Sequence, residues 1–296
     1  MINLLIVITP TFNRGAQLSK LYESLCGQTD RDFYWLIVDD GSTDNTCEIA
    51  KKWEDENKIS IKYHKKENGG KHTALNYAFD VCDQKFCVCI DSDDYLLPDA
   101  VETLNNYIKE NDFNSVWGVV NPRIHSNGKL EKDWLSKDFS KIKFSSIYSK
   151  FKYLGETTIL MNLDYVKEFR FPEFENEKLV PENYLYDKLD DKYFVYTNKK
   201  PICVSDYKDD GYTINSENVL KKSPRGTALS NLSGASNKYN GIIKRALSYC
   251  RYLCINKVFN LKKYTAEQYK ISFICKFIGI CAYPVMIKRY RKKVSR

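Results

Sequence analysis

Two apolar runs, about fifty residues apart, end abruptly in carboxylates. Leu36-Ile37-Val38 leads into Asp39-Asp40-Gly41-Ser42-Thr43-Asp44, and Val88-Cys89-Ile90 leads into Asp91-Ser92-Asp93-Asp94. Short apolar runs rich in β-branched residues read as buried strands. In an open α/β sheet, ligands bind beyond the carboxyl ends of the strands. Two strands delivering acids to that edge therefore call for an α/β fold with one carboxylate-lined cleft. Acid-Ser-acid is a hard-oxygen donor set suited to Mn²⁺ or Mg²⁺ shared with a substrate phosphate. Taken singly, each cluster is equally a turn or a helix cap, because Asp, Gly and Ser favour both. Their recurrence on consecutive βα units favours the cleft.

The rest of the first hundred residues agrees with that class. Apolar runs at 4–9, 33–38, 59–63 and 86–90 alternate with amphipathic stretches, the βαβα pattern of a doubly wound sheet. Leu18, Leu21, Tyr22 and Leu25 recur at helical spacing, and Ser42 or Thr43 is placed to cap the helix after the second run. Asn68-Gly69-Gly70-Lys71 opens a further helix, and Pro98 sits where the next would begin. Later strands are expected at 116–120, 156–161, 194–197 and 202–207, with Asn127-Gly128 as a tight turn and helices at 163–169 and 184–189. Residues 131–155 give no clear period.

Charge divides the chain. From Asn240 onward fourteen Lys or Arg face one acid, Glu267, a local +13 against a total of +8, which leaves −5 for residues 1–239. Two apolar segments lie in this basic tail. One carries Ile242, Ile243, Ala246, Leu247, Cys250 and Leu253 as a helical stripe; the other runs over 271–287, interrupted by Lys276 and Pro284, and ends in Lys288-Arg289-Tyr290-Arg291-Lys292-Lys293. Seventeen residues with an internal Lys are short for a bilayer span and suit a helix lying in the interface on anionic lipid. A helix packed on the protein body is the alternative. Basic residues beside apolar helix faces, with no sheet of stacking aromatics, argue against nucleic acid as a partner. Ten scattered cysteines with no CxxC, and no secretory leader, point to free thiols in a reducing cytosol and against a zinc site.

The words Thr9-Pro10-Thr11-Phe12-Asn13-Arg14, Gln28-Thr29, Val38-Asp39-Asp40-Gly41-Ser42-Thr43-Asp44, Asn68-Gly69-Gly70, Ala74-Leu75-Asn76 and Asp91-Ser92-Asp93-Asp94 stand in an order and spacing that resembles the inverting family-2 glycosyltransferases of the GT-A fold. The resemblance covers about the first 110 residues, is looser to 215 and does not reach the tail. It implies a Rossmann-like doubly wound mixed sheet with helices on both faces, a nucleotide-sugar-binding half at 1–110 and an acceptor-binding half at 111–215. Beyond them come an expected mobile linker at 216–239 and the helical tail at 240–296. The implied activity moves a sugar from a nucleotide donor, a UDP-sugar above all, to a hydroxyl of a glycan or lipid-linked acceptor in bacterial surface-polysaccharide synthesis. The implied location is cytoplasmic, peripheral on the inner face of the plasma membrane.

Residue roles follow on the same basis. Pro10, Thr11 and Phe12 wall the base slot, with Asn13 beside them, and either Asp39 or Asp40 takes the pyrimidine N3–H, the resemblance favouring Asp40. Backbone N–H groups at Asn68, Gly69 and Gly70 are expected to approach the donor closely, with Lys71 near the diphosphate. Asp91 and Asp93 are the Asp-x-Asp pair, Asp93 as the direct metal ligand, Asp91 as ligand or ribose contact, and Ser92 between them. With no His after His125, waters or Asp209 or Asp210 would complete the metal shell. The general base expected in the family is an Asp at a position that here is Asn183, so Glu182 is the candidate, with Asp187, Asp190 and Asp191 behind it. Arg225, in a stretch read as mobile, is a candidate to close over the diphosphate. Two rival readings stand: a sugar nucleotidyltransferase, which would want a Gly-rich loop after the first strand, and a non-catalytic scaffold of a glycan-assembly complex.

Overall fold

A computed structural model describes residues 5–130, 132–205, 216–261 and 269–295. In chain order the elements are β1 Leu5–Thr11, α1 Gly15–Cys26, β2 Phe33–Asp39, α2 Thr46–Glu56, β3 Ile61–Lys65, α3 Lys71–Val81, β4 Phe86–Cys89, β5 Tyr95–Leu96, α4 Ala100–Glu110 and β6 Val116–Ile124. They continue as α5 Phe144–Ser149, β7 Thr157–Asn162, α6 Leu163–Val166, α7 Asn183–Lys192, β8 Phe194–Thr197, β9 Cys203–Val204, α8 Ser216–Lys222, α9 Pro224–Ser236, α10 Ile242–Val258 and α11 Phe273–Ser295. Two compact units share them: residues 1–142, 151–168 and 193–206 form the first; 143–150, 169–192 and 207–296 form the second.

The first unit is built on a mixed sheet in the order β3-β2-β1-β4-β7-β6-β9-β5, with β8 also paired to β6. The leading four strands are parallel and β7 runs antiparallel to both β4 and β6. Strands β1 and β2 are buried along their whole length, which is why they read as unbroken apolar runs rather than alternating ones. On one face Tyr22 of α1 stacks on Trp53 of α2 at 4.3 Å between ring centroids, over Trp35 of β2. The Gln28-Thr29 word is structural. The Gln28 amide donates to the Leu97 carbonyl and accepts from the Val101 N–H, while the Thr29 hydroxyl donates to Glu102, so the end of α1 is tied to the start of α4. The cap of α2 comes from Asp44, which accepts from both the N–H and the hydroxyl of Thr46, not from Ser42 or Thr43 as the sequence suggested. The Asn127-Gly128 turn forms as expected, with Gly128 at φ 79°.

The second unit is helical. Where a mobile linker was expected at 216–239, α8 and α9 form instead, and Ala228, Leu229, Leu232 and Ala235 are buried. The polar composition hid this because small Ser and Gly residues let α9 pack closely on α7 and α10. Segment 131–155, left unassigned by sequence, contributes α5. Helices α10 and α11 lie side by side and parallel: Cys275 reaches the Ile242 carbonyl, Gly279 abuts the backbone of Ala246, and Ile287 clusters with Cys250 and Cys254. A side chain at Gly279 would meet the Ala246 carbonyl at 2.8 Å, so only glycine allows this spacing. Pro284 lies inside α11, on its exposed side, without ending it. Among the described residues no helix is long and apolar enough to cross a membrane.

Candidate active site

The site belongs to the first unit, where strand register sets its base. Thr11 pairs with Asp39, and Asp39 with Lys65, so the ends of β1, β2 and β3 lie in a row. Strand β4 flanks β1 on the other side and leads through Ile90 to Asp91. β1 is thus the strand from which the order runs back through β2 and β3 and outward through β4, the switch point where open α/β sheets leave a crevice.

At the second signature, residues 91–94 form a tight turn closed by the Asp94 N–H on the Asp91 carbonyl. Cations from two different loops meet the two acids. Lys71 Nζ lies 2.5 Å from Asp91 Oδ1, and Arg14, at the start of α1, lies 2.9 Å from Asp93 Oδ2. Burial alone would raise the Asp91 carboxyl, but the charges of Lys71, Arg123 and Arg14 outweigh it and hold it below the usual carboxylate range. Asp94 turns inward instead. Its carboxylate meets Arg123 of β6 at 2.9 Å, and Arg123 also reaches Glu156 at 3.3 Å and the Thr158 hydroxyl at 3.1 Å. Burial pushes the Asp94 carboxyl up to about 6 even with Arg123 pulling the other way. The turn is therefore anchored from beneath by a buried ion pair, while Asp91 and Asp93 pair with the partly exposed cations Lys71 and Arg14.

The carboxylates of the first signature are held by hydrogen bonds rather than by salt bridges alone. Asp40 is buried and four donors converge on its carboxylate: Lys66 Nζ at 2.8 Å and the Gly69 N–H at 2.9 Å on Oδ1, the Gly70 N–H at 2.6 Å and the Asn68 amide at 3.2 Å on Oδ2. A carboxylate has about four acceptor positions, and these are filled. The Gly69 and Gly70 N–H groups, expected to approach a ligand, are turned to Asp40, as is the Asn68 side-chain amide, which places an acid at the N-terminal end of α3. Gly70 holds φ 96°, a conformation that side-chain-bearing residues rarely adopt. Asp39, fully buried, accepts from the Ser42 N–H at 2.7 Å and the Tyr63 hydroxyl at 2.5 Å. Asn13 is also a tie, its amide oxygen accepting the Thr43 N–H at 2.7 Å. Asp40→Ala is expected to lower stability by about 1–3 kcal/mol, because the N–H groups of Gly69 and Gly70 lose their acceptor; urea unfolding measures it, with faster amide exchange at Gly69 and Gly70 as its local signature.

One polar atom in this row has no such tie. Thr11 is buried at the end of β1, and its hydroxyl oxygen has no hydrogen-bond partner among the described residues. Next to it in sequence Phe12 is 46 % exposed, a large aromatic left open beside the strand end. Ser92 is buried within the acidic turn, and Pro10 lies in β1 opposite Val38.

The family model for "Glycosyl transferase family 2" matches residues 6–170, more than half of the chain. The chain belongs to glycosyl transferase family 2. Relatives of this family-2 chain include the uncharacterized glycosyltransferase YibD of Escherichia coli, 29% identical over 180 residues, covering 55% of this chain and 52% of that protein. GlyG of Streptococcus pneumoniae is 30% identical over 140 residues, covering 47% and 46%. TarP of Staphylococcus aureus, a poly(ribitol-phosphate) β-N-acetylglucosaminyltransferase, is 34% identical over 116 residues, covering 38% and 35%. The chain spans about half the length of the first curated relatives it matches. Among solved structures, S. aureus TarS 1-349 in complex with UDP-GlcNAc matches with a TM-score of 0.65 at 18% identity, over 98% of this chain and 90% of that one. That likeness shows the GT-A-like fold, a mixed sheet with helices followed by C-terminal helices.

The remaining expected residues of this family-2 chain lie in the second unit. Glu182 precedes α7 and accepts from the Tyr186 hydroxyl at 2.9 Å. Asp190, fully buried, accepts the N–H groups of Phe144 and Ser145 and so caps α5, while Asp187 accepts from the amides of Asn237 and Asn240. Both carboxylates help hold the helices of this unit together. Asp191 is exposed and 3.9 Å from Lys238. Arg225 is not on a mobile loop: it starts α9, its guanidinium lies 2.8 Å from buried Glu177 and over the Phe174 ring, and Glu177 also accepts the Arg225 and Gly226 N–H groups. A cap for α9 explains it better than a closing arm. Asp209 and Asp210 lie outside the described residues.

Arg123, Arg14 and Lys66 are the residues that sequence reasoning missed. Arg14 stood inside a motif word and was given no role. Arg123 had a usable signal, a lone charge in the strand 116–124, which demands an acid as partner.

Proposed function

We propose that the chain transfers a sugar from a UDP-sugar to an acceptor hydroxyl with inversion, in the synthesis of a cell-surface glycan. The observation that carries this reading is the juxtaposition at the switch point: an unpartnered buried Thr11 hydroxyl and an exposed Phe12 at one strand end, and two carboxylates facing Lys71 and Arg14 at the next. The first pair suits a nucleobase, by one hydrogen bond and stacking. The second suits a diphosphate, to which Lys71 and Arg14 can turn when it arrives. The names of TarP, a poly(ribitol-phosphate) β-N-acetylglucosaminyltransferase, and of TarS in complex with UDP-GlcNAc support a UDP-sugar donor and a polymeric acceptor.

Asp91 and Asp93 fit a divalent cation of the Mn²⁺ or Mg²⁺ kind. Among the described residues no group of three His, Cys, Asp or Glu forms a self-sufficient metal site. Two carboxylates with diphosphate oxygens and water is the usual mode of Mg²⁺. Bound there, the cation would neutralise charge growing on the departing nucleoside diphosphate. The protein's own part is to orient the diphosphate between Lys71 and Arg14 and to keep the acidic turn in place through Asp94 and Arg123. The general base is assigned to Glu182 by resemblance alone. Glu182→Gln is expected to abolish transfer yet leave UDP-sugar affinity intact, because a base acts on the other substrate; continued glycosylation by that variant removes the assignment.

Thr11→Val tests the base slot. Val keeps the shape and deletes a buried hydroxyl that has no partner, so urea stability is expected to stay level or rise, while UDP affinity by calorimetry falls by roughly 2- to 10-fold, the net worth of one hydrogen bond. Unchanged affinity would place the base elsewhere. A thermal screen of UDP-, GDP- and CDP-sugars with and without Mn²⁺ tests the donor class directly, since only a ligand of the folded state raises the melting temperature.

A further inference from the structure

Helix α11 presents an outward face with two chemically distinct halves. Phe273, Ile274, Phe277, Ile280 and Val285 are exposed on its first half, Phe273 at 81 % and Phe277 at 60 %. Lys288, Arg289, Arg291, Lys292 and Lys293 are exposed on its second half. The opposite face is spent on packing, through Cys275, Gly279 and Ile287 against α10. Because α10 runs parallel to α11, its first residues Ile242 and Ile243, the latter 67 % exposed, lie at the same end as Phe273 and Phe277. Large apolar side chains left exposed together at one end of a helix pair mark an interaction site.

We infer that this α10–α11 face docks on an anionic lipid surface, with Ile242, Ile243, Phe273 and Phe277 entering the headgroup–acyl boundary and the 288–293 cations lying on the phosphates. This goes beyond the catalytic reading and is independent of it. Charge complementarity selects the occupant. From Asn240 on, the sequence has one acid, Glu267, so a second copy of this face would set cations against cations with too little negative charge to pair them. A lipid leaflet supplies both things the face lacks, an apolar boundary and a dense layer of anions. The face is built to lie in the interface, since no described helix is long and apolar enough to span.

Co-sedimentation of the full chain with sucrose-loaded vesicles tests this. Vesicles of phosphatidylcholine with about one third phosphatidylglycerol should bind it at least roughly tenfold more tightly than phosphatidylcholine alone, the mark of combined apolar and electrostatic docking. Phe273→Ser with Phe277→Ser should lose the binding to both. Lys288→Glu with Arg289→Glu, a change at two exposed positions of the same basic half, should lose only the preference for anionic vesicles. The inference is overturned if the wild type stays in the supernatant, if it binds both vesicles equally, or if either double variant binds as the wild type does. Light scattering that shows a dimer, dispersed by Phe273→Ser with Phe277→Ser, would assign the face to a second copy instead.

Discussion

Asp93→Asn is expected to cut sugar transfer by roughly 10²- to 10³-fold, the loss usual when one preorganised electrostatic contact to developing charge is removed. Asn keeps the size of the side chain and its place in the turn, which is held by the Asp94 N–H on the Asp91 carbonyl and by Arg123 on Asp94. The fold should therefore survive, with a urea midpoint near that of the wild type. Two explanations of the loss are separable. Asp93 faces Arg14 at 2.9 Å, so the substitution also removes the anion that holds this cation. If that were its whole contribution, Arg14→Met would reproduce the defect, and chelation of divalent ions would leave the wild type active. If Asp93 holds a cation shared with the diphosphate, Arg14→Met should affect UDP binding more than turnover, and EDTA should silence the wild type until Mn²⁺ or Mg²⁺ is restored. Near-normal turnover of Asp93→Asn, with EDTA harmless, removes the metal-dependent mechanism.

Arg123→Met should produce the largest loss of stability, about 3–5 kcal/mol, because it strands a buried charge. Arg123 and Asp94 have side chains only 12% and 6% exposed, and Arg123 also reaches Glu156 and the Thr158 hydroxyl. The pH dependence gives the prediction its sign. Asp94 has a folded value of about 6, above the ordinary 3.8. Its carboxyl therefore favours the folded state most below pH 3.8, and that contribution fades as pH rises through about 6. Above that pH the wild type offsets the buried negative charge with Arg123, and Arg123→Met cannot. The gap between the two should be wide at pH 8 and narrow at pH 5, where Asp94 is largely protonated in both. Urea unfolding at the two pH values measures it, and a gap that does not change with pH would show that Arg123 acts through packing or Glu156 rather than through Asp94.

The class of the fold was readable because its signals are local. A strand buried on both faces must be apolar throughout, so 33–38 announced β2 almost residue for residue, and Phe194–Thr197 fell where it was expected. The acids that follow β2 and β4 were readable for the same reason, since an apolar run that stops in Asp-Asp leaves little doubt where the strand ends. The nature of α8 and α9 was not readable. A helix of Ser, Gly and Ala has no apolar stripe, and it forms here because small side chains permit close packing that no window of sequence displays. The site divided along the same line. Sequence named Asp39, Asp40, Asp91 and Asp93 as chemically able to bind cations or nitrogen donors, and ranked Asp40 as a reader of base. Only the tertiary structure decided what each is free to do. Gly69, Gly70, Asn68 and Lys66 are brought to Asp40 by the return of the chain through β3, and Arg123 is brought to Asp94 by β6, pairings across 26 to 30 and 29 residues. A carboxylate's function depends on how many of its lone pairs the fold has already taken, and that count exists only once distant donors have been folded against it.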